Sequence, residues 1–340
     1  MIYFAFLPDY KNKINISGNA IMNKMMYSRY FDKKKDILLN ATSKKDILIK
    51  IKKIYYSIIA FLLVVTGKQK KIYTVMFDGK GFYPQVIFLF ILSFFCKKII
   101  VHHHSFKYLD NSKILILLKS KKINHIAISK KQYSKLKKNY FFKSIYLIQG
   151  YIFHLNRNIK IKNKKNTDKI KIIFHSRINE NKGIFEYLKL SKEFSENKKV
   201  IFNIFGNECS DVIKKKILKL KKLKIINEFK LNISKKEKNK MYKNNDILIL
   251  PTKHKSETTP GVIDECINQG VIPIAFNQGD IKGQIGEMGL VANNYIQMKK
   301  KLLMVFKNYN KTKKRIIDNK KIKLNTVSQK LKILDNIFYN

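Results

Sequence analysis

Tryptophan is absent from this chain, and cysteine, proline and glycine number only 3, 5 and 13 in 340 residues. Cys96, Cys209 and Cys266 are scattered and form no C-x-x-C pair. That excludes a disulfide framework and a cysteine-based metal module, and it fits a reducing cytoplasm. Acid is scarce too: 23 Asp and Glu against 71 Lys and Arg leave a formal charge of +48. Arginine is nearly missing, with Arg29, Arg157, Arg177 and Arg315 the only four, so the excess is lysine. Lysine lacks the planar fork with which base edges and phosphates are read. No helix-turn-helix, aromatic RNA-recognition motif or zinc module accompanies the charge. The Lys, Ile, Asn and Tyr abundance therefore reads as the bias of an AT-rich coding sequence. Such a surface is still drawn to anionic lipid or nucleic acid at low salt. A basic nucleic-acid-binding protein remains the alternative from another class, with charge as its sole support.

Long hydrophobic runs are also lacking. The two longest, Ile58 to Thr66 and Val86 to Cys96, fall well short of the ~20 residues of a membrane-spanning helix. Both read as helices buried inside an α/β domain. The amino terminus, MIYFAFLP, has no basic region ahead of its short apolar run and reads as a first strand rather than a signal peptide. No repeat with a period of about 20–50 residues is present, which excludes a solenoid.

What is present is 45% hydrophobic residues, enough for cores in two domains at this length. In the first half, strand candidates Ile2–Leu7, Asp36–Leu39, Ile72–Phe77, Lys98–His102, Ile123–Ser129 and Ser144–Ile148 alternate with helical stretches such as Pro84–Cys96 and Lys130–Tyr140. Asn156 to Asp168 is polar, lysine-rich and aperiodic, the expected linker. The alternation then restarts. Strands are expected at Ile170–His175, Val200–Phe205, Ile225–Phe229, Asp246–Leu250 and Val271–Phe276. Helices are expected at Lys182–Phe194, Asp211–Lys222 and Pro260–Asn268, with another opened by the capping box Ser234–Glu237. Tyr295 to Asn340 is helical and basic. Strands alternating with helices imply parallel βαβ units. The expected organisation is an N-terminal domain over residues 1–155, a linker over 156–168, a second domain over 169–315, and a final helix over 316–340 packing back on the first.

Turn-forming residues gather in one place. Asp246 to Leu290 holds Pro251, Pro260 and Pro273 and six of the thirteen glycines, beside Glu257 and Glu265. In open α/β sheets ligands bind beyond the carboxyl ends of the strands, and three strand ends here carry suitable residues. The first gives Arg177, with Lys182 and Gly183 opening the next helix, a cationic cradle for a diphosphate; a surface arginine beside an ordinary lysine is the plain alternative. At the second, Gly206 lets a ligand approach the backbone, although many strand-to-helix turns use glycine. At the third, Glu257 lies in a loop before a helix begun by Pro260. Glu265 sits within that helix, where its carboxylate can accept two hydrogen bonds from a vicinal diol such as a ribose. The amide groups around Gly261 to Ile263 point into the space between the two glutamates.

These residues resemble the nucleotide-sugar domain of the family 4 retaining glycosyltransferases, which have the GT-B fold. RINENKG (Arg177–Gly183) matches that family's Arg-x4-Lys-Gly run, and ETTPGVIDE (Glu257–Glu265) its Glu-x7-Glu motif. INQGVIPIAF and NQGDIKGQIGEMGLV match the segments that follow. The matched motifs cover about Lys169 to Ala292. Thr259-Pro260 departs from the aromatic-glycine pair found after the first glutamate in the family.

The resemblance implies an α/β GT-B fold, two doubly wound Rossmann-like domains facing a central cleft. It implies that Arg177 and Lys182 stabilise the departing diphosphate, that Glu265 holds the ribose and Glu257 the donor sugar, and that Gly206, Gly261 and Val262 line the donor site. KIIVHHHSFKY (Lys98–Tyr108) is similar to a histidine-bearing strand of surface-polysaccharide members, which makes His104 the candidate beside the donor sugar. His102 shares its strand face and His103 points away. His102, Gly18 and Gly79 would line the acceptor side. A plain polar strand end is the alternative, and three consecutive histidines lack metal spacing.

The implied partners are a nucleotide-diphosphate sugar, a glycan or lipid-carrier-linked acceptor of surface polysaccharide, and an anionic membrane surface. No metal, cofactor or nucleic acid is expected, and the implied location is cytoplasmic, peripheral at the inner face of the cytoplasmic membrane. A catalytically silent GT-B partner subunit is the remaining alternative.

Overall fold

The structure is a computed structural model that describes residues 1–5, 7, 18–41, 46–76, 79–110, 112–149, 169–254 and 257–339; the expected linker at 156–168 lies outside them. The chain divides into two compact units. One comprises Met1–Phe153 with Gln329–Asn340, the other His154–Ser328.

The first unit runs β1 (Ile2–Ala5), α1 (Gly18–Tyr30), β2 (Ile37–Asn40), α2 (Asp46–Val65), β3 (Lys71–Val75), a 3-10 turn at Gly79–Gly81, and α3 (Phe82–Phe95). It continues with β4 (Lys98–His103), a 3-10 stretch at Lys113–Leu118, β5 (Ile123–Ala127), α4 (Lys130–Tyr140) and β6 (Ile145–Leu147). Its strands form one parallel sheet in the order β2-β1-β3-β4-β5-β6. Every residue of β5 is buried, as a parallel sheet covered on both faces requires. Successive strand residues face opposite ways, and Tyr3 and Phe4 show which helices cover which face. Tyr3 packs against Tyr27 of α1 and donates its hydroxyl to the Asn23 carbonyl at 2.9 Å. Phe4 packs edge-on against Tyr56 of α2.

The expectation that both apolar runs form buried helices is corrected here. The first run is the end of a helix that begins at Asp46, and α2 and α3 each bury one face and expose the other. Ala60 is 3% exposed and Ile54 65%; Leu92 is 0% and Phe94 64%. Apolar residues occupy nearly every position, so no polar stripe marks the outward side in the sequence.

The second unit runs β7 (Ile170–Arg177), a 3-10 turn at Glu180–Lys182, α5 (Ile184–Glu193), β8 (Val200–Asn207), α6 (Asp211–Lys222), β9 (Ile226–Leu231), α7 (Lys235–Lys243) and β10 (Ile247–Leu250). There follow α8 (Gly261–Asn268), β11 (Ile272–Phe276), α9 (Ile281–Ile285), β12 (Leu290–Ala292), α10 (Tyr295–Lys307) and α11 (Tyr309–Asn325); α12 (Val327–Tyr339) comes last and lies almost wholly in the first unit. The parallel sheet has the order β12-β11-β10-β7-β8-β9. From β7 the chain builds outward through β8 and β9, then returns to add β10, β11 and β12 on the other side. The reversal falls between β7 and β10, where a doubly wound sheet opens a crevice at its carboxyl edge. The capping box opens α7: Ser234 N–H donates to Glu237 Oε2 at 2.8 Å, and Glu237 N–H to Ser234 Oγ at 3.2 Å.

The tail returns to the first unit later than residue 316. Ile316 is fully buried in the core of the second unit, and Lys320 and Lys323 of α11 donate to the carbonyls of Asn268 and Gln284 at 3.1 and 3.0 Å. From Gln329 the chain belongs to the first unit. There the Phe338 ring stacks on Tyr30 at 4.0 Å, and Asp335 accepts hydrogen bonds from Arg29 and Tyr30.

Candidate functional site

Two loops that leave β7 and β10 meet at the switch point, and glycine makes the meeting possible. Asn179 Oδ1 accepts the Lys182 amide at 3.0 Å and shapes the 3-10 turn. The turn ends at Gly183, whose φ is +80°; a Cβ there would stand 2.0 Å from the Pro251 carbonyl oxygen. A side chain at Gly183 would push the two loops apart. Lys253 N–H, just past β10, donates to the Asn181 carbonyl at 2.8 Å and ties them further. The buried Lys182 ammonium reaches across and donates to Glu257 Oε2, with the Thr252 hydroxyl 3.2 Å from the same oxygen. Two residues with 74 others between them in the chain thus form one ion pair.

The glycine-rich turn after β11 supports Glu257 from behind. A Cβ on Gly279, φ +56°, would lie 1.6 Å from the Glu257 carbonyl oxygen, and Asp280 N–H donates to the Thr258 carbonyl at 3.1 Å. Pro260 is the N-cap of α8, with ψ 122°, so Gly261 is the first helical residue rather than Pro260. Ile263 N–H donates to the Pro260 carbonyl at 3.0 Å, so the amides offered to a ligand there do not extend to Ile263. No heavy atom lies within 4 Å of the place a Cβ on Gly261 would take. Val262 packs part-buried against the core.

Glu265 is held from α7. Its Oε1 accepts from Lys238 Nζ at 2.6 Å and its Oε2 from the Tyr242 hydroxyl at 3.1 Å; His175 Nδ1 lies 2.7 Å from that hydroxyl. Burial pushes the His175 imidazole down to about 4, with the Glu265 charge opposing, so the ring is neutral at pH 7. Since the tyrosine proton goes to the carboxylate, His175 carries its own proton on Nδ1 and donates to Tyr242. The result is a relay, His175 to Tyr242 to Glu265, that fixes the carboxylate in place.

Arg177 ends β7 and is exposed, its guanidinium 3.5 Å from Glu208. A pair this open contributes little stability, which leaves the guanidinium free to exchange partners. The His254 imidazole is lowered by burial and by the Lys182 charge, with Glu257 opposing and Arg177 adding to the effect. It therefore lies in the field of three site charges. Gly206 has a packing role: a Cβ there would meet the Ser176 carbonyl oxygen at 2.0 Å and the Ile178 side chain.

In the first unit, β1, β3 and β4 are sheet neighbours. Gly18 opens α1 after β1, and Gly79, φ +69°, opens the 3-10 turn after β3 with no heavy atom within 4 Å of a notional Cβ. His102, in β4, and His104, just after it, place their rings 4.2 Å apart, both buried. His102 Nδ1 lies 2.8 Å from the Tyr73 hydroxyl, while its Nε2 is buried without a hydrogen-bond partner among the described residues.

His103 turns the other way into a closed chain. Its Nδ1 faces the Tyr108 hydroxyl at 3.1 Å, its Nε2 faces His125 Nδ1 at 3.0 Å, and His125 Nε2 faces the Leu118 carbonyl at 3.0 Å. A carbonyl only accepts, so His125 carries its proton on Nε2 and His103 donates to it, taking the Tyr108 proton in turn. Burial lowers His104 and His125 to about 4, so both are neutral at pH 7.

The second unit therefore brings together Arg177, Lys182, Glu257, Gly261, Val262 and Glu265. His102, His104, Gly18 and Gly79 belong to the first. Sequence reasoning missed Lys238, Tyr242, His175, Thr252 and His254. A partial signal existed for two of them, because Lys238 and Tyr242 stand four apart and share a face of α7. Among the described residues no group of three or more His, Cys, Asp and Glu side chains is placed to hold a metal ion.

Two doubly wound parallel sheets, the second with paired carboxylates and cations at its switch point, define an α/β protein of two Rossmann-like units. Residues 156–323, about half of the chain, match the family described as glycosyl transferases group 1, and this part of the chain belongs to that family. The second unit is accordingly a group 1 glycosyltransferase domain, and the fold of the chain is that of the GT-B glycosyltransferases. No curated protein matches it in sequence.

Solved structures match over its whole length. A glycosyltransferase from Rickettsia africae ESF-5 is 15% identical with a TM-score of 0.65, covering 100% of this chain and 99% of that one. Anabaena HepE in complex with UDP is 12% identical with a TM-score of 0.65, covering 97% and 94%. WaaG, a glycosyltransferase involved in lipopolysaccharide biosynthesis, is 11% identical with a TM-score of 0.61, covering 100% of both. At such identities the likeness shows the fold.

Proposed function

We propose that the protein moves a sugar, with retention of anomeric configuration, from a nucleotide-diphosphate sugar to a glycan or lipid-carrier-linked glycan during the building of a surface polysaccharide. It would work in the cytoplasm, at the inner face of the membrane. The observation that carries this reading is the placement of Lys182 with Glu257, and of Glu265 on its own relay, at the switch point of the family-matched unit.

In this reading Glu265 accepts hydrogen bonds from the two ribose hydroxyls, and its support by Lys238 and Tyr242 keeps it oriented. Glu257 accepts from a hydroxyl of the donor sugar. As the bond between the anomeric carbon and the phosphate oxygen breaks, its electron pair leaves with the diphosphate. The new negative charge develops beside Lys182 and Arg177, which offset it without a metal. The acceptor oxygen then bonds to the anomeric carbon, and its proton leaves with the phosphate. His104, neutral and buried, would hydrogen-bond the donor sugar from the first unit, and His102, Gly18 and Gly79 would face the acceptor.

A thermal-shift panel of UDP-, GDP- and other nucleotide sugars tests the reading, with UDP first because HepE was crystallised with it. Donor at 100 times its Kd should stabilise the protein by about 2.7 kcal/mol. Glu265→Gln should remove most of that shift and all turnover while the fold stays intact. Failure of every nucleotide to shift the transition, or unchanged turnover in Glu265→Gln, would overturn the proposal.

A further inference from the structure

More than half of the exposed large hydrophobic side chains among the described residues sit on two neighbouring helices of the first unit, α2 and α3. On α2 the exposed positions Ile47, Ile51, Ile54, Ile58, Leu62 and Val65 follow one another at intervals of three and four, a single stripe along the helix. On α3, Ile87, Ile91 and Phe94 do the same. Phe61 and Phe95 meet edge to face at 6.1 Å, so the two helices pack side by side. Scattered exposed apolar residues need no explanation, but a continuous patch of this kind marks a surface made to be covered.

The charge around the patch identifies the cover. Lys70, Lys97 and Lys122 are brought together where β3, β4 and β5 begin: Lys97 N–H donates to the Lys70 carbonyl at 2.8 Å, and Ile99 N–H to the Lys122 carbonyl at 2.9 Å. Lys122 Nζ reaches the Ser93 carbonyl of α3 at 3.4 Å, which sets this basic edge against the end of the apolar stripe. Lys68 and Lys121 are exposed beside it. Asp110 is the single carboxylate between Gly79 and Leu147, the span that carries Lys97, Lys121 and Lys122, and Asp36, on the β1 side of this edge, is already paired with the Met1 ammonium at 2.6 Å. A second copy of the chain would bring the same lysine edge against this one, and like charges would oppose the contact. A bilayer with anionic headgroups offers both complements, acyl chains for the stripes and negative charge for the lysines. No helix among the described residues is long and apolar enough to cross a membrane, so the contact is one of lying in the interface.

We infer that the α2–α3 face is a monotopic membrane-docking surface, with the two stripes inserted among lipid tails and the lysine edge at the headgroups of an anionic leaflet. This deepens the membrane-side reading above and rests on it, but it is independent of the transfer chemistry.

The test mixes the full chain with vesicles of phosphatidylethanolamine containing a minority of phosphatidylglycerol, or of phosphatidylcholine alone, and measures co-sedimentation. Binding should be at least about tenfold stronger to the anionic vesicles and should weaken with salt. Ile54→Gln with Ile58→Gln and Leu62→Gln should lower it by about tenfold or more, and Lys68→Gln with Lys97→Gln should weaken only the binding to anionic vesicles. Both variants should keep the wild-type circular dichroism and nucleotide-induced thermal shift. Equal vesicle binding by wild type and the triple variant overturns the inference. So does a wild-type dimer that the triple variant converts to monomer without loss of vesicle binding. Vesicle binding by a protein that no nucleotide stabilises would support the face and overturn only the transfer reading.

Discussion

Replacing Gly183 by alanine tests how the site is assembled, because one methyl group would have to occupy space already held by the Pro251 carbonyl. The Cβ would come within 2.0 Å of that oxygen and 2.6 Å of its carbon, both backbone atoms that no rotamer change can move. The residue would also keep φ at +80°, a left-handed conformation that costs an alanine about 1 kcal/mol. Relief of the overlap requires the β7 and β10 loops to separate, and overpacking of this kind costs about 1–3 kcal/mol. The expected loss is therefore about 2–4 kcal/mol, or a Tm lower by about 5–15 °C for a unit of this size. Separation would also draw Lys182 away from Glu257.

Gly261→Ala is the control. It adds the same methyl group where nothing stands within 4 Å, so stability should hold to within about 0.5 kcal/mol. The methyl group would project into open space at the helix start, and nucleotide binding should weaken. Calorimetric melting of both variants, with and without nucleotide, separates the two effects. Equal Tm values for Gly183→Ala and wild type would refute the claim that this glycine joins the loops.

Tyr242→Phe should keep the fold but leave Glu265 Oε2 and His175 Nδ1 each short of a partner, lowering nucleotide affinity about tenfold through a lost hydrogen bond to a charged group; isothermal titration with wild-type affinity would refute the relay. The buried histidines should make the protein acid-sensitive. His104, His125 and His175 have folded values lowered to about 4, so between 6.5 and 4 the unfolded chain binds protons that the folded one does not. Their contribution is present in full above pH 6.5 and is lost as pH falls towards 4, on the order of 3 kcal/mol for each group at the lower end. Urea midpoints at pH 7 and pH 5 check this, and an unchanged midpoint would contradict neutral burial.

Strands such as β7, β8 and β10 were legible because their apolar runs are short, β-branched and bounded by turn formers, and Arg177, Lys182, Glu257 and Glu265 were legible because motif spacing survives without knowledge of the fold. The outward face of α2 was not legible, because Ile54 and Ile59 are the same residue type and only packing separates an exposed position from a half-buried one. At Gly206 the sequence reports a close approach, and the fold adds that the Ser176 carbonyl of the neighbouring strand is one atom that requires it. Lys238 was hidden among its 66 fellow lysines, and Tyr242 among 18 tyrosines. Their meaning comes from contact with Glu265, 27 and 23 residues further on.

A chain with 71 basic and 23 acidic residues makes each lysine nearly uninformative and each carboxylate informative. At the switch point Glu257 faces Lys182, Glu265 faces Lys238, and Glu208 faces Arg177, so three scarce acids meet three cations within one region. Two of these pairs are largely shielded from water, where an unpaired charge would be costly. Each carboxylate therefore both holds its cation in place and prevents a buried surplus of positive charge. An anionic ligand would enter against that balance by taking over Lys182 and the exposed Arg177, and by offering hydroxyl donors to the carboxylates. A ligand with only negative charge would draw Lys182 from Glu257 and offer no donor in return. One with phosphates at one end and hydroxyls on both sides would satisfy all three pairs, and a nucleotide-diphosphate sugar has that form.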